Sequence, residues 1–146
     1  DDEGRMFGRA VSQWCMLDLT KRTAVDLRAV AESHNEAIVD VPSPAEKPCK
    51  VPAPATEPVL THRVAYTDID FNRHVNTMRY IELMLDVLPI ERFAEERPLR
   101  LDINFLKEAR YGDTLSVAIE ERPAQTLVEI RNDGGAAVCR GAFEWR

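Results

Sequence analysis

The sequence predicts an α+β fold in which an antiparallel sheet wraps around one long helix. Three observations carry that prediction: a strongly apolar helical stretch from Asn76 to about Leu88, a strand-like segment before it, and four strand-like segments after it joined by turn sequences. The chain has 146 residues, 45% of them hydrophobic, which is enough for one ordinary core.

Taken in order, Gly8 to Asp18 (GRAVSQWCMLD) is rich in Val, Trp, Cys, Met and Leu and reads as a strand, broken by Thr20-Lys21-Arg22-Thr23. From about Asp26 to Ala37, residues Leu27, Val30, Ala31 and Ala37 stand near helical spacing, with Asp26 placed to cap. Between Val39 and Leu60 come Pro42, Pro44, Pro48, Pro52, Pro54 and Pro58, with no periodic apolar pattern. Proline locks φ and removes a backbone donor, so residues 39–60 are expected to form an extended, semi-rigid linker. Residues 1–38 are then too few to build a core of their own, and residues 61–146 form the main domain.

After the linker, His62 to Phe71 reads as a strand. In the helix that follows, Met78, Ile81, Met84, Leu85 and Leu88 recur at steps of three and four, and Leu83 and Val87 widen the stripe. Such a helix should be largely buried under a sheet, with Asn76 capping it and Pro89 stopping it. The strands Arg100–Leu106, Thr114–Glu121, Thr126–Arg131 and Ala137–Trp145 are separated by turn-formers such as Tyr111-Gly112-Asp113 and Asn132-Asp133-Gly134-Gly135. Leu115, Val117 and Ile119 alternate with Ser116, Ala118 and Glu120, the pattern of a sheet covered on one face.

A formal charge of −6 and a pI near 5.1, with no basic block, argue against nucleic acid as a partner. No apolar run approaches the roughly 20 residues that span a bilayer, so no membrane role is expected. Cys15, Cys49 and Cys139 lie far apart, odd in number and without zinc spacing, which fits a reducing, cytoplasm-like compartment.

The run Tyr66 to Asn76 is the candidate site. If extended, it would point Asp68, Asp70, Asn72 and His74 one way and leave Ile69, Phe71 and Val75 to anchor the backbone. A calcium loop is excluded, because Arg73 stands where its turn glycine belongs and Arg79 where its closing glutamate belongs. A metal held by Asp68, Asp70 and His74 lacks a second imidazole, since His34 and His62 sit in other contexts. No G-x-S-x-G elbow is present. A plain turn needs one or two such polar residues, whereas this stretch supplies four at period two.

The stretch YTDIDFNRHVNTMRYIELMLDVLP resembles the catalytic segment of the fatty acyl-ACP thioesterases, where D-x-N-x-H-V-N leads into the central helix of a hot-dog domain. GRAVSQWCMLDLTKR is similar to the segment that closes that family's first hot-dog domain. LDINFLKEARYGDTL is similar to the strand bearing its further catalytic residue. The resemblance implies a hot-dog fold, the end of a first domain followed by a complete second one, and hydrolysis of fatty acyl-acyl carrier protein without a cofactor. It places the catalytic residues on Asp70, Asn72, His74 and Glu108. Where the plant enzymes follow that glutamate with cysteine, this chain has Ala109, so the chemistry must rest on carboxylate, amide and imidazole, with Cys139 expected to pack in the core.

On this reading Glu108 takes a proton from water, Asn72 orients it, His74 completes the network, Asp70 fixes the imidazole or the amide, and backbone N–H groups from Val75 to Thr77 face the oxyanion. Arg73, Arg79, Arg100, Lys107 and Arg110 are expected to form a positive rim for the acidic carrier protein. The rival readings are an acyl-CoA thioesterase and a non-catalytic acyl-binding domain. A hydratase of the same fold would show a proline in D-x-x-P-x-H that is missing here. The apolar face left by an absent first domain makes a homodimer an expectation.

Overall fold

Strand character in the first segment is confined to a small hairpin: β1 (Leu17–Asp18) pairs antiparallel with β2 (Thr23–Ala24), while Gly8 to Met16 forms no strand. The turn between them is closed by Asp18, whose Oδ1 accepts the N–H groups of Thr20 and Lys21. Helix α1 (Arg28–Ser33) begins beside Asp26, whose Oδ1 accepts the Arg28 N–H at 3.0 Å from one residue before the cap position, since the Leu27 carbonyl takes the first helical bond. The computed structural model describes residues 3–18, 20–21, 23–33 and 41–146; the expected continuation of this helix over 34–37, the start of the linker at 39–40, and His34 lie outside them.

The chain divides into two compact units, Asp1–Pro48 and Cys49–Arg146. None of the described side chains in the first is buried: Phe7 and Trp14 are exposed, as a segment too short for a core requires.

The second unit contains β3 (Pro58–Arg63), α2 (Thr77–Leu85), a short α3 (Arg92–Glu95), β4 (Pro98–Phe105), β5 (Thr114–Arg122), β6 (Gln125–Arg131) and β7 (Ala137–Trp145). The five strands form one antiparallel sheet in the order β3-β5-β6-β7-β4. The last four strands lie within a residue or two of their expected bounds. The first does not: it ends at Arg63, and Tyr66–Asp68 is a 3₁₀ turn in place of the expected strand to Phe71.

Helix α2 packs on one face of the sheet through Tyr80, Leu83 and Met84, spaced as one helical face should be, and the turn after it adds Val87 and Leu88. The stripe expected from the sequence is rotated from this one. Met78 is 58% exposed and Leu85 39%, so the helix is half-buried and not largely buried. Gly141 of β7 sits where an added Cβ would come within 2.6 Å of Met84 Sδ, so a larger residue there would have to displace the Met84 side chain.

The opposite face of the sheet is also covered, against the expectation of one covered face. The second half of the proline-rich stretch lies across it as a strap: Val51, Leu127 and Ala142 form a separate buried cluster. Asn104 fastens the strap by accepting from the Val51 N–H and donating to the Cys49 carbonyl, while Thr56 Oγ1 donates to the Ile119 carbonyl. Residues 49–60 therefore belong to the second unit.

On this outer face Glu129, only 3% exposed, lies between Arg131 and Arg140. Burial alone would push its carboxyl up, but the bonds from the two guanidinium groups outweigh it and hold it below its ordinary value of 4.5. A carboxyl depressed in the folded state adds stability above its unfolded pKa and loses it as pH falls through the folded one. Urea titrations should accordingly give constant stability above the ordinary carboxylate range and a decline below about pH 4.5. Glu129→Gln should flatten part of that decline.

Candidate active site

Asp70 builds the turn that carries the site. Its Oδ1 accepts the N–H groups of Asn72 at 2.8 Å and His74 at 3.2 Å, while its own N–H donates to the His74 carbonyl at 2.8 Å. The turn forces Arg73 to φ 65°, left-handed backbone that a non-glycine residue adopts only when its surroundings demand it. The segment is thus a tight loop, and the expected alternation of faces does not occur. Phe71, expected to anchor it, is 93% exposed. Ile69 and Val75 do anchor it, bridging each other inside the fold.

Glu108 reaches the same place from the other side. It lies just beyond β4, where Leu106 and Lys107 both donate to the Val138 carbonyl and bend the chain off the sheet. Two bonds then clamp Ala109 between loop and helix: its carbonyl accepts the Val75 N–H at 2.8 Å, and its N–H donates to the Tyr80 hydroxyl at 3.2 Å. His74 bridges Arg110. The outcome is that His74 Nε2 stands 3.3 Å from Glu108 Oε2, an imidazole against a carboxylate that is half-exposed at the start of α2.

Of the residues expected from the sequence, His74 and Glu108 meet directly. Asp70 acts on the His74 backbone, so it holds the loop and not the imidazole. Asn72 is exposed, and its side-chain amide has no hydrogen-bond partner among the described residues. Asn76 caps α2 as expected, with Oδ1 accepting the Met78 N–H at 2.9 Å. The oxyanion donors need correcting. The Val75 N–H is committed to Ala109 and the Asn76 N–H to the Asp68 carbonyl, which leaves Thr77 N–H, at the first helical position, as the one of the three without an acceptor among the described residues.

Cys139 is fully buried, and burial pushes its thiol up to about 12, so it packs in the core and offers no thiolate. The described residues hold no cluster of three His, Cys, Asp or Glu groups able to bind a metal. Of the five cations expected around the site, Arg79 is committed to Asp68 and Glu82, and Arg100 to Asp102 on β4. Arg73, Lys107 and Arg110 are exposed, and Arg110 Nη2 lies 3.7 Å from Glu108 Oε2, the same oxygen that His74 approaches.

Sequence reasoning passed over Tyr80, which burial pushes up to about 12 and whose hydroxyl secures the Glu108 segment. A signal was present: it is the polar-tipped residue in phase with Leu83, Met84 and Val87. His62, which the sequence places apart from the site, contacts Asp68 at 2.7 Å.

Comparison with known proteins identifies the family and the fold. Residues 53–146 match the family model described as the acyl-ACP thioesterase C-terminal domain. The oleoyl-acyl carrier protein thioesterase 2 of Arabidopsis thaliana is 25% identical over 91% of this chain and 39% of its own length. The chain therefore spans about two-fifths of that relative. An acyl-ACP thioesterase from Bacteroides thetaiotaomicron superposes with a TM-score of 0.77 at 32% identity, over 89% of this chain and 53% of that one. The 12:0-ACP thioesterase of Umbellularia californica shares the fold, with a TM-score of 0.71 at 17% identity over 89% of this chain and 52% of that one. The α+β architecture is the hot-dog fold that the resemblance implied. With its helix, sheet and Asp-Asn-His loop in place and its second unit matched almost throughout, the chain belongs to the acyl-ACP thioesterase C-terminal domain family.

Proposed function

We propose that this domain carries the hydrolytic site of a thioesterase that cleaves fatty acyl-acyl carrier protein to free fatty acid and carrier thiol. The observation that supports it most is the 3.3 Å approach of His74 Nε2 to Glu108 Oε2 at the start of α2. Glu108 is half-exposed, so water can reach it, and a carboxylate held against an imidazole can act as a general base.

The steps follow from the groups present. Glu108 removes a proton from water as its oxygen adds to the thioester carbon. The carbonyl oxygen becomes an oxyanion near Thr77 N–H and the positive end of α2. The free amide of Asn72 orients the water or the carbonyl. When the tetrahedral intermediate collapses, the C–S bond breaks and the proton held by Glu108 passes to the departing thiolate. His74 keeps the carboxylate aligned throughout, and Asp70 keeps His74 in its turn.

The imidazole set against a water-accessible carboxylate favours this reading over a domain that merely holds acyl groups, which needs no base. Arg73, Lys107 and Arg110 give the mouth of the site positive charge that suits an acidic carrier protein despite the formal net charge of −6. The whole protein carrying this domain, incubated with acyl-acyl carrier protein and acyl-CoA and followed by mass spectrometry, should release fatty acid faster from the carrier protein. Intact thioesters in both would refute hydrolysis. Preference for CoA would refute the carrier assignment.

A further inference from the structure

We propose that Asp68 is a positioning residue for this site, holding the His74 turn in register with the start of α2; the kinetic part of the proposal rests on the hydrolase reading, and its structural part does not. Asp68 is 4% exposed and ends the 3₁₀ turn that leads into the loop. Its carboxylate gathers partners from three places in the chain. Oδ2 accepts the Ala65 N–H at 2.7 Å and lies 2.7 Å from His62 Nε2 on β3, while Oδ1 pairs with Arg79 Nε on α2 at 2.9 Å. The Arg79 contact is an ion pair and not a directed hydrogen bond, and Arg79 Nη1 donates to Glu82 instead.

A carboxylate removed from water stays ionised only if partners replace its hydration. Burial pushes the Asp68 carboxyl up, but the Ala65 N–H, the His62 contact and the Arg79 charge outweigh it and hold it below its ordinary value. The three anchors join β3 to the helix that follows the loop, so Asp68 fixes both ends of the segment from Ile69 to Asn76. Its carbonyl also accepts the Asn76 N–H at 2.8 Å, which places the cap of α2. From there the chain of contacts reaches the chemistry: Val75 is bonded to Ala109, and Ala109 adjoins Glu108. The Asp68 carboxylate has no hydrogen bond or ion pair with His74 or Glu108 among the described residues, so it acts through the turn.

Asp68→Asn keeps the shape and loses the charge; His62→Ala removes the imidazole partner; His62→Gln restores an N–H in its place. The whole protein serves for kcat and KM, and this chain for nuclear Overhauser contacts between the His74 ring and the Glu108 side chain. Asp68→Asn is expected to remain folded, to keep KM within about twofold, and to lose about 10- to 100-fold in kcat as the reacting groups drift apart. The ring contacts to Glu108 should weaken in parallel. His62→Ala should show the same pattern in milder form, and His62→Gln should recover most of it. Unchanged ring contacts and kcat in Asp68→Asn would overturn the proposal. So would a loss accounted for by the unfolded fraction in urea, with no split between kcat and KM. Should Asp68→Asn fail to fold, equal behaviour of the two His62 variants would overturn it. If the parent protein hydrolyses no acyl thioester, the hydrolase reading fails while the ring contacts still decide the positioning role.

Discussion

Replacing Glu108 by Gln should lower kcat for acyl thioester hydrolysis by about 10²–10⁴-fold, the usual contribution of a positioned general base. The substitution preserves shape and the approach to His74 Nε2, now 3.3 Å, but removes the basic oxygen. KM should change little, since in the proposed mechanism Glu108 acts on water and not on the acyl chain, so kcat and kcat/KM should fall together. His74→Ala should fall less far, because it removes the group that aligns the base and leaves the base itself. Double substitution should cost barely more than Glu108→Gln alone, as expected of two groups acting as a unit. Losses that instead multiplied would show that the two residues act in separate steps. Circular dichroism and urea midpoints close to the parent's are expected for Glu108→Gln, because a half-exposed carboxylate contributes little to folding.

The largest effect on stability should come from Trp145→Ala. Its ring lies 5.8 Å from that of Phe143 and 5.4 Å from that of Phe93, with the Arg92 guanidinium carbon 4.5 Å above it. Its Nε1–H donates to Thr126 Oγ1 at 2.9 Å. That hydroxyl also accepts from Arg92 and donates to Glu121, while Arg92 itself pairs with Glu121 and Glu96. Truncating the indole would open a cavity at a residue 6% exposed and strip a donor from a fully buried hydroxyl. Loss of about 3–5 kcal/mol is expected, a large share of the about 5–15 kcal/mol typical of a domain. Trp145→Phe keeps most of the packing and should lose only about 0.5–1.5 kcal/mol, the usual worth of one hydrogen bond, since Thr126 Oγ1 keeps Arg92 and Glu121 as partners. Urea unfolding followed by circular dichroism separates the two; similar midpoints would mean that Thr126 and not the ring packing dominates.

Elements whose signal is local were legible in the chain. The hairpin strands alternate visibly, turn residues separate them, and Asn76 announces the start of α2 through the bond its own side chain makes to Met78. The rotation of the α2 stripe was not legible. A tyrosine reads as ambiguous in a periodicity count, and Tyr80 turns its ring into the core while the Ala109 N–H across the fold supplies its hydroxyl with a partner. Strand character up to Phe71 was equally misleading. The alternating polar residues imitate a strand, whereas Asp68 and Asp70 bond to nearby backbone N–H groups and close turns in competition with a ladder.

What the amino acids determined unaided was the inventory: an apolar helix amid strands, a dense polar loop before it, and the carboxylate, amide and imidazole side chains assigned to the reaction. Tertiary structure alone decided their arrangement. It brought Glu108 to His74 across a long stretch of chain, set Asp70 against backbone N–H groups, spent the Val75 and Asn76 amides on structure, and sank Asp68 among His62, Arg79 and Ala65. The physical reason is that residue type and spacing record what a side chain can bond, while the partner it takes depends on which donors the folded sheet and helix leave within about 3 Å of it.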